Sequence, residues 1–186
     1  MSVPAPDLAI ELLPAAAAAD DDLTTALADL VNRVYRVAEA GLWVDGATRT
    51  TAAETAAMIA AGEVAVARVD GQLVGAVRIL QLDGRAGELG MLVADPDRRG
   101  IGIGRDLVAF AEELSRQRGL GAMQLELLVP REWTHPEKER LHAWYTRIGY
   151  APVRSGTIDG SYPHLAPLLA TPCDFVIYEK DLAPAA

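Results

Sequence analysis

Residues 98–105 read Arg-Arg-Gly-Ile-Gly-Ile-Gly-Arg, between an apolar, strand-like stretch at 88–93 and an amphipathic, helical one at 105–118. Glycines at 100, 102 and 104 leave the backbone bare where a helix begins. The unpaired N–H groups of a first helical turn and the positive end of the helix dipole face outward together at such a point. Phosphate oxygens suit that position, and arginines on both sides of the glycines add positive charge. The run therefore requires a strand, a tight turn and a helix in that order, and it points to a phosphate-bearing ligand. A dinucleotide fold does not fit. The spacing is G-x-G-x-G followed by Arg105 rather than G-x-G-x-x-G, although Glu126 falls where a ribose-binding acid would lie. Residues 127–186 are also too few to complete a doubly wound sheet and a catalytic domain. No Gly-Lys-Ser/Thr follows the glycines, which excludes a P-loop.

The rest of the chain supplies further α and β signals. Residues 8–13 predict a short strand. Leu23, Leu27, Leu30, Val31 and Val34 recur at helical spacing behind N-cap candidates at Asp20–Asp22. Gly41 and Gly46 bracket a loop that holds Trp43 and Asp45. Thr51 and Glu54 form a capping-box pattern that opens an Ala-rich helix, stopped by Gly62. Asp70-Gly71 joins two β-prone runs, 63–69 and 73–80, as a hairpin. Asp83-Gly84 marks a turn before a strand at 87–93, which Asp95-Pro96-Asp97 ends. Met123, Leu125 and Leu127 alternate with Gln124 and Glu126, as a strand requires. Thr134 and Glu137, with Pro136, predict a second capping box and a helix that runs to Gly149. His135 sits at that helix start, where local capping is its expected role. Strands are expected at 151–158 and 174–180, joined by a Pro-rich loop. This order predicts a mixed α/β sheet.

Composition sets outer bounds. At 186 residues the chain suits one domain with a real core. We expect a flexible N-terminus at 1–7, a single domain at 8–182 and a short tail at 183–186. Net charge is −9, which argues against nucleic acid as a partner and is compatible with a cationic amine. Cys173 is the only cysteine, so an internal disulfide and a thiolate zinc cluster are both excluded, and it reads as a small buried residue. His142 and His164 lack metal-ligand spacing with acidic partners, so no metal is expected. No apolar run is long enough to span a bilayer, and residues 1–7 lack the pattern of a signal peptide. No membrane association is expected, and a cytoplasmic location is.

Arg99-Gly100-Ile101-Gly102-Ile103-Gly104 matches Q/R-x-x-G-x-G/A, the acyl-CoA signature of the GCN5-related N-acetyltransferase (GNAT) superfamily. It follows Glu-Leu-Gly-Met-Leu-Val-Ala-Asp-Pro at 88–96, which is similar to that family's fourth strand. Trp144-Tyr145-Thr146-Arg147-Ile148-Gly149-Tyr150 resembles the segment at the end of its fourth helix, and residues 174–182 resemble its last strand. The resemblance implies a mostly antiparallel central sheet with splayed parallel strands 4 and 5, flanked by about four helices. It implies acetyl-CoA as co-substrate. Arg98, Arg99, Gly100, Ile101, Gly102, Ile103, Gly104 and Arg105 would form a pyrophosphate cradle, and backbone from Met91, Leu92 and Val93 would pair with the pantetheine arm. The implied activity is N-acetyltransfer by direct attack in a ternary complex, onto a primary amine of a small molecule, amino acid or peptide. A homodimer is a common state among similar chains.

Amine acetylation needs a base for the amine and an acid for the departing thiolate. The resemblance implies Tyr145 as that acid. Glu88 and Glu126 are both candidates for the base, acting directly or through a water. Trp43, Asp45 and Trp133 occupy loops that could border an acceptor pocket, where an aromatic and a carboxylate would suit a cationic amine. The non-enzymatic alternative is an acyl-CoA-binding sensor or accessory module that kept the fold and lost transfer.

Overall fold

Both residues of the predicted hairpin turn adopt left-handed backbone, Asp70 with φ 50° and Gly71 with φ 79°. That geometry matches the twist of the strands it joins, β2 (Val64–Val69) and β3 (Gln72–Gln81). In this computed structural model, which describes residues 7–82 and 84–182, the hairpin is part of one seven-stranded sheet. Residues 1–6 of the expected N-terminal segment at 1–7, the expected tail at 183–186, and Asp83 of the predicted turn lie outside the described residues. The other strands are β1 (Leu8–Leu12), β4 (Ala86–Ala94), β5 (Ala122–Pro130), β6 (Ala151–Gly156) and β7 (Cys173–Asp181). Their order across the sheet is β1-β2-β3-β4-β5-β7-β6.

Every neighbouring pair is antiparallel except β4 and β5, which run parallel. That parallel pairing extends only from Ala86 opposite Ala122 to Leu89 opposite Leu125. Beyond it the two strands part. A bulge in β4 sits at the point of parting. Ala76 pairs with Val93 and Arg78 with Gly90, so Met91 and Leu92 together face Val77. Met91 takes φ 47°, a conformation that a side chain tolerates poorly.

Helices cover both faces. α1 (Asp21–Ala38) and α2 (Ala52–Ala60) bury Leu27, Val31, Met58 and Ile59 against Val64, Val66 and Val93. α3 (Ile103–Gln117) and α4 (Pro136–Arg147) pack the other face, where Ile103, Leu107, Ala111 and Tyr145 meet Ala65, Ala67, Leu89 and Leu125. A third cluster joins Leu42, Leu128, Cys173 and Phe175 to the segment between β6 and β7. Cys173 is buried there, as its residue type suggested. No helix among the described residues is long and apolar enough to cross a membrane.

Local capping signals were mostly sound. The Asp20 side chain accepts from the Leu23 N–H at 3.0 Å, and Thr51 and Glu54 form both bonds of a capping box. The Thr134–Glu137 pattern is corrected. His135 is the N-cap of α4, and its Nδ1 accepts from the Glu137 N–H at 3.2 Å. The ring nitrogen offers an acceptor one residue later than Thr134 would, and Pro136 then opens the first turn. α3 begins at Ile103, two residues before the predicted start, because Gly102 takes φ 87° and caps it.

Candidate active site

The glycine turn positions α3. Gly100 and Gly102 both have positive φ, 89° and 87°, which brings the backbone round sharply enough for the helix to start at Ile103. Among the described residues, the N–H groups of 99–105 find no acceptor, while the next one, Asp106, donates to the Gly102 carbonyl at 3.0 Å. A Cβ built on Gly100 would meet nothing within 4 Å, and one on Gly104 only the Trp144 ring at 3.9 Å. Open space above unpaired N–H groups is the arrangement an anion's oxygens can fill. Arg98 and Arg99 are exposed, as is Arg105, whose guanidinium pairs with Asp106 at 2.7 Å. The residues present fit a phosphate-bearing ligand.

A cleft of about 480 Å³ adjoins the gap between β4 and β5. Its walls come from α1, α2, both splayed strands, α4 and the segment between β6 and β7. Met91 and Leu92, at the β4 bulge, line it, whereas Val93 is buried in the core beneath. Three of the predicted chemical residues meet here: Glu88, Glu126 and Tyr145.

Glu88 leaves β4 only 6% exposed and accepts a hydrogen bond from Gln124 Nε2 at 3.0 Å. Burial, and then the negative charge of Glu126, push its carboxyl up to about 7, against the opposing pull of Gln124 and Arg78. Glu126, half-buried on β5, accepts from the Tyr162 hydroxyl at 3.0 Å. Burial raises its carboxyl as well, while Tyr162, Arg49 and Arg154 hold it down. Two carboxylates thus line one cleft, both raised by burial, with Glu88 held near neutrality. Tyr145, on α4, is buried to 6% exposure, and burial holds its hydroxyl in the protonated form well above the ordinary tyrosine range. That hydroxyl finds no hydrogen-bond partner among the described residues, so it is a donor with its proton unspent.

The loop aromatics part company. The Trp43 indole donates to Glu39 Oε2 at 2.6 Å, and its backbone bridges Leu169. Trp43 and Asp45 line a smaller recess, about 280 Å³, beside the cleft. Trp133 lies outside the lining of either space, with its ring 5.2 Å from that of His135. The sequence did not single out Gln124, Tyr162, Tyr35 or Arg49. Gln124 sits opposite Glu88 in the parallel register, and Tyr162 reaches the cleft from a Pro-rich loop. A polar residue two positions before Glu126 on an alternating strand was the one available signal for Gln124.

No curated protein matches the chain in sequence. Among solved structures, an aminoglycoside 6'-N-acetyltransferase complexed with coenzyme A superposes with a TM-score of 0.66 at 18% identity, covering 96% of this chain and 99% of that one. N-acetylglutamate synthase from Neisseria gonorrhoeae, complexed with coenzyme A and N-acetyl-glutamate, gives 0.63 at 16%, over 95% of this chain and 35% of that one. An IAA acetyltransferase from Bacillus cereus gives 0.62 at 16%, over 95% and 100%. At such identities the likeness is one of fold. The model of the Acetyltransferase (GNAT) family, however, matches residues 26–150, two thirds of the sequence, from within α1 to just past α4. The chain belongs to the GNAT family of acetyltransferases.

Proposed function

We propose that this protein is an acetyl-CoA-dependent N-acetyltransferase that moves an acetyl group to a primary amine of a small molecule, amino acid or peptide, within a ternary complex, and that residues 8–182 form its one catalytic domain. The observation that carries this reading is that buried Glu88 and buried Tyr145 line one cleft at the parting of β4 and β5. When bound, acetyl-CoA supplies a thioester open to attack by an amine. The N–H groups of residues 99–105, with Arg98, Arg99 and Arg105, hold its pyrophosphate, and backbone of 91–93 lies along its pantetheine arm. Glu88, with its carboxylate bonded to Gln124, takes the proton that a primary ammonium must lose. Glu126 keeps negative charge beside it and attracts the cationic acceptor. The Tyr145 hydroxyl holds the proton that a departing thiolate needs, and burial ensures that it is present at any ordinary pH. Both carboxylates and the phenol have work in a transfer reaction that a binding module would not require.

The test is turnover. A panel of primary amines with acetyl-CoA should release free thiol above the hydrolysis background. Replacing Tyr145 by Phe should lower kcat by about a hundredfold, the usual scale of a lost general acid. The same variant should keep the upward melting shift that acetyl-CoA produces. Thiol release by Y145F at the wild-type rate would remove Tyr145 from the chemistry, and no melting shift at millimolar acetyl-CoA would remove the donor assignment.

A further inference from the structure

Arg49 is set into the wall between α1 and the 41–50 loop. Its own N–H and that of Thr50 both donate to Asn32 Oδ1 of α1, at 2.7 and 3.2 Å, and Asn32 Nδ2 returns a bond to the Thr50 carbonyl at 2.8 Å. The backbone is thus pinned, and the half-buried guanidinium lies 4.8 Å from the Tyr35 ring centre and 5.7 Å from that of Trp43. It lines both the main cleft and the smaller recess beside it. None of the described carboxylates lies within salt-bridge distance of it.

The other arginine and the lysine that line the main cleft are already paired. Arg78 pairs with Glu63 at 2.7 Å and Lys138 with Glu39 at 2.6 Å. The other oxygen of Glu39 accepts from the Trp43 indole. The charges of Glu39 and Glu126 and the Tyr35 hydroxyl act on this part-buried guanidinium, yet no described carboxylate is in contact with it, so its planar fork of donors still has room for one. Glu88 and Glu126 stand on the sheet strands, and Arg49 stands on the loop before α2, with the Lys138-paired Glu39 on the same side of the cleft.

We propose that Arg49 is a specificity residue that binds the carboxylate of the acceptor, so that the natural acceptor is an amine carrying its own carboxylate, an amino acid or a short peptide, with its amine turned toward Glu88 and Glu126. This rests on the acetyl-transfer reading of the same cleft. It narrows that reading from amines in general to zwitterionic ones. The Tyr35 and Trp43 rings flank the guanidinium and help to hold it in place.

The experiment compares α-amino acids, ω-amino acids and dipeptides with their carboxamides, using acetyl-CoA and thiol detection on the wild-type protein, R49Q and R49K. At least one acid should exceed its amide about tenfold or more in kcat/KM, mainly through KM, because the amide leaves the guanidinium facing a neutral group. That ratio should collapse toward one in R49Q and recover in part in R49K. A ratio near one throughout the wild-type panel overturns the proposal. So does an R49Q variant that slows acid and amide alike with the ratio preserved, which would make Arg49 a support for Glu126 or for the fold. If nothing is turned over, the acetyl-transfer reading fails by itself, and the melting point of the CoA-saturated protein decides the subsite. A rise with an acid, absent with its amide and lost in R49Q, sustains it; no rise with any acid ends it.

Discussion

Glu88 shows how one side chain acquires a use from its surroundings. A carboxyl raised to about 7 is protonated in acid and must shed that proton before it can accept another. We therefore expect kcat/KM to climb with pH and level off above about 7, and E88Q to flatten the climb. E126Q should move the rise to lower pH, since the charge of Glu126 is the second cause of the shift. Stability carries the same signature with its own sign. The folded protein favours protonated Glu88, so that contribution is complete below the unfolded value of about 4.5 and is lost as pH rises through about 7. E88Q should melt near wild type at about pH 5 and a few degrees higher at about pH 8.5, a gap of about 2 kcal/mol read by thermal melts in matched buffers. That Glu88, Glu126 and Tyr145 face one cleft was foreshadowed in the sequence, Glu88 and Tyr145 by their motif segments and Glu126 by strand alternation. Tyr162, Gln124 and Arg49 were not. Each enters the site through a long-range pairing, and an arginine in Thr48-Arg49-Thr50 carries no local sign that it will be pinned by Asn32.

Among the elements, the α3 turn separates backbone strain from ligand space. Gly102 has positive φ, so G102A should cost about 1–2 kcal/mol even without ligand, seen as a lower melting point. Gly104 has helical backbone and open space around its Cα. G104V should leave the unliganded melting point within about 0.5 kcal/mol of wild type, since valine is no worse than glycine in a helix. It should nonetheless shrink the melting shift produced by acetyl-CoA, because the branched side chain fills the space left for the pyrophosphate. Helices and the hairpin were readable where the deciding chemistry spans a few residues, as in Thr51–Glu54 and Asp70-Gly71. The α4 cap was misplaced by one position because Thr134 and His135 both offer an acceptor, and only tertiary placement chooses between them. The order of β6 and β7 was equally out of reach. Nothing in either strand says that the later one is the inner one.

Taken whole, the molecule is a sheet with a helical pair on each face, and the buried pair Glu39–Lys138 ties the end of α1 to α4. Both side chains are 4% exposed, and Lys138 is the stronger reason that Glu39 stays ionised despite its burial. K138M should strand that carboxylate and lower stability by about 3 kcal/mol, or roughly 6–10 °C in melting point for a chain of this size. A drop of less than about 1 kcal/mol would mean that Arg49 alone suffices as counter-charge. The inner position of β7 has a further consequence, for synthesis. A ribosome delivers the glycine turn and β5 long before residues 173–181, so β5 waits with a bare edge beside the finished half of the sheet. Tyr162 belongs to the segment between β6 and β7, whose ends are held by the pairing of β7 with both β5 and β6. Until residues 173–181 emerge, nascent or truncated chains would thus carry β5 with an open strand edge that invites aggregation.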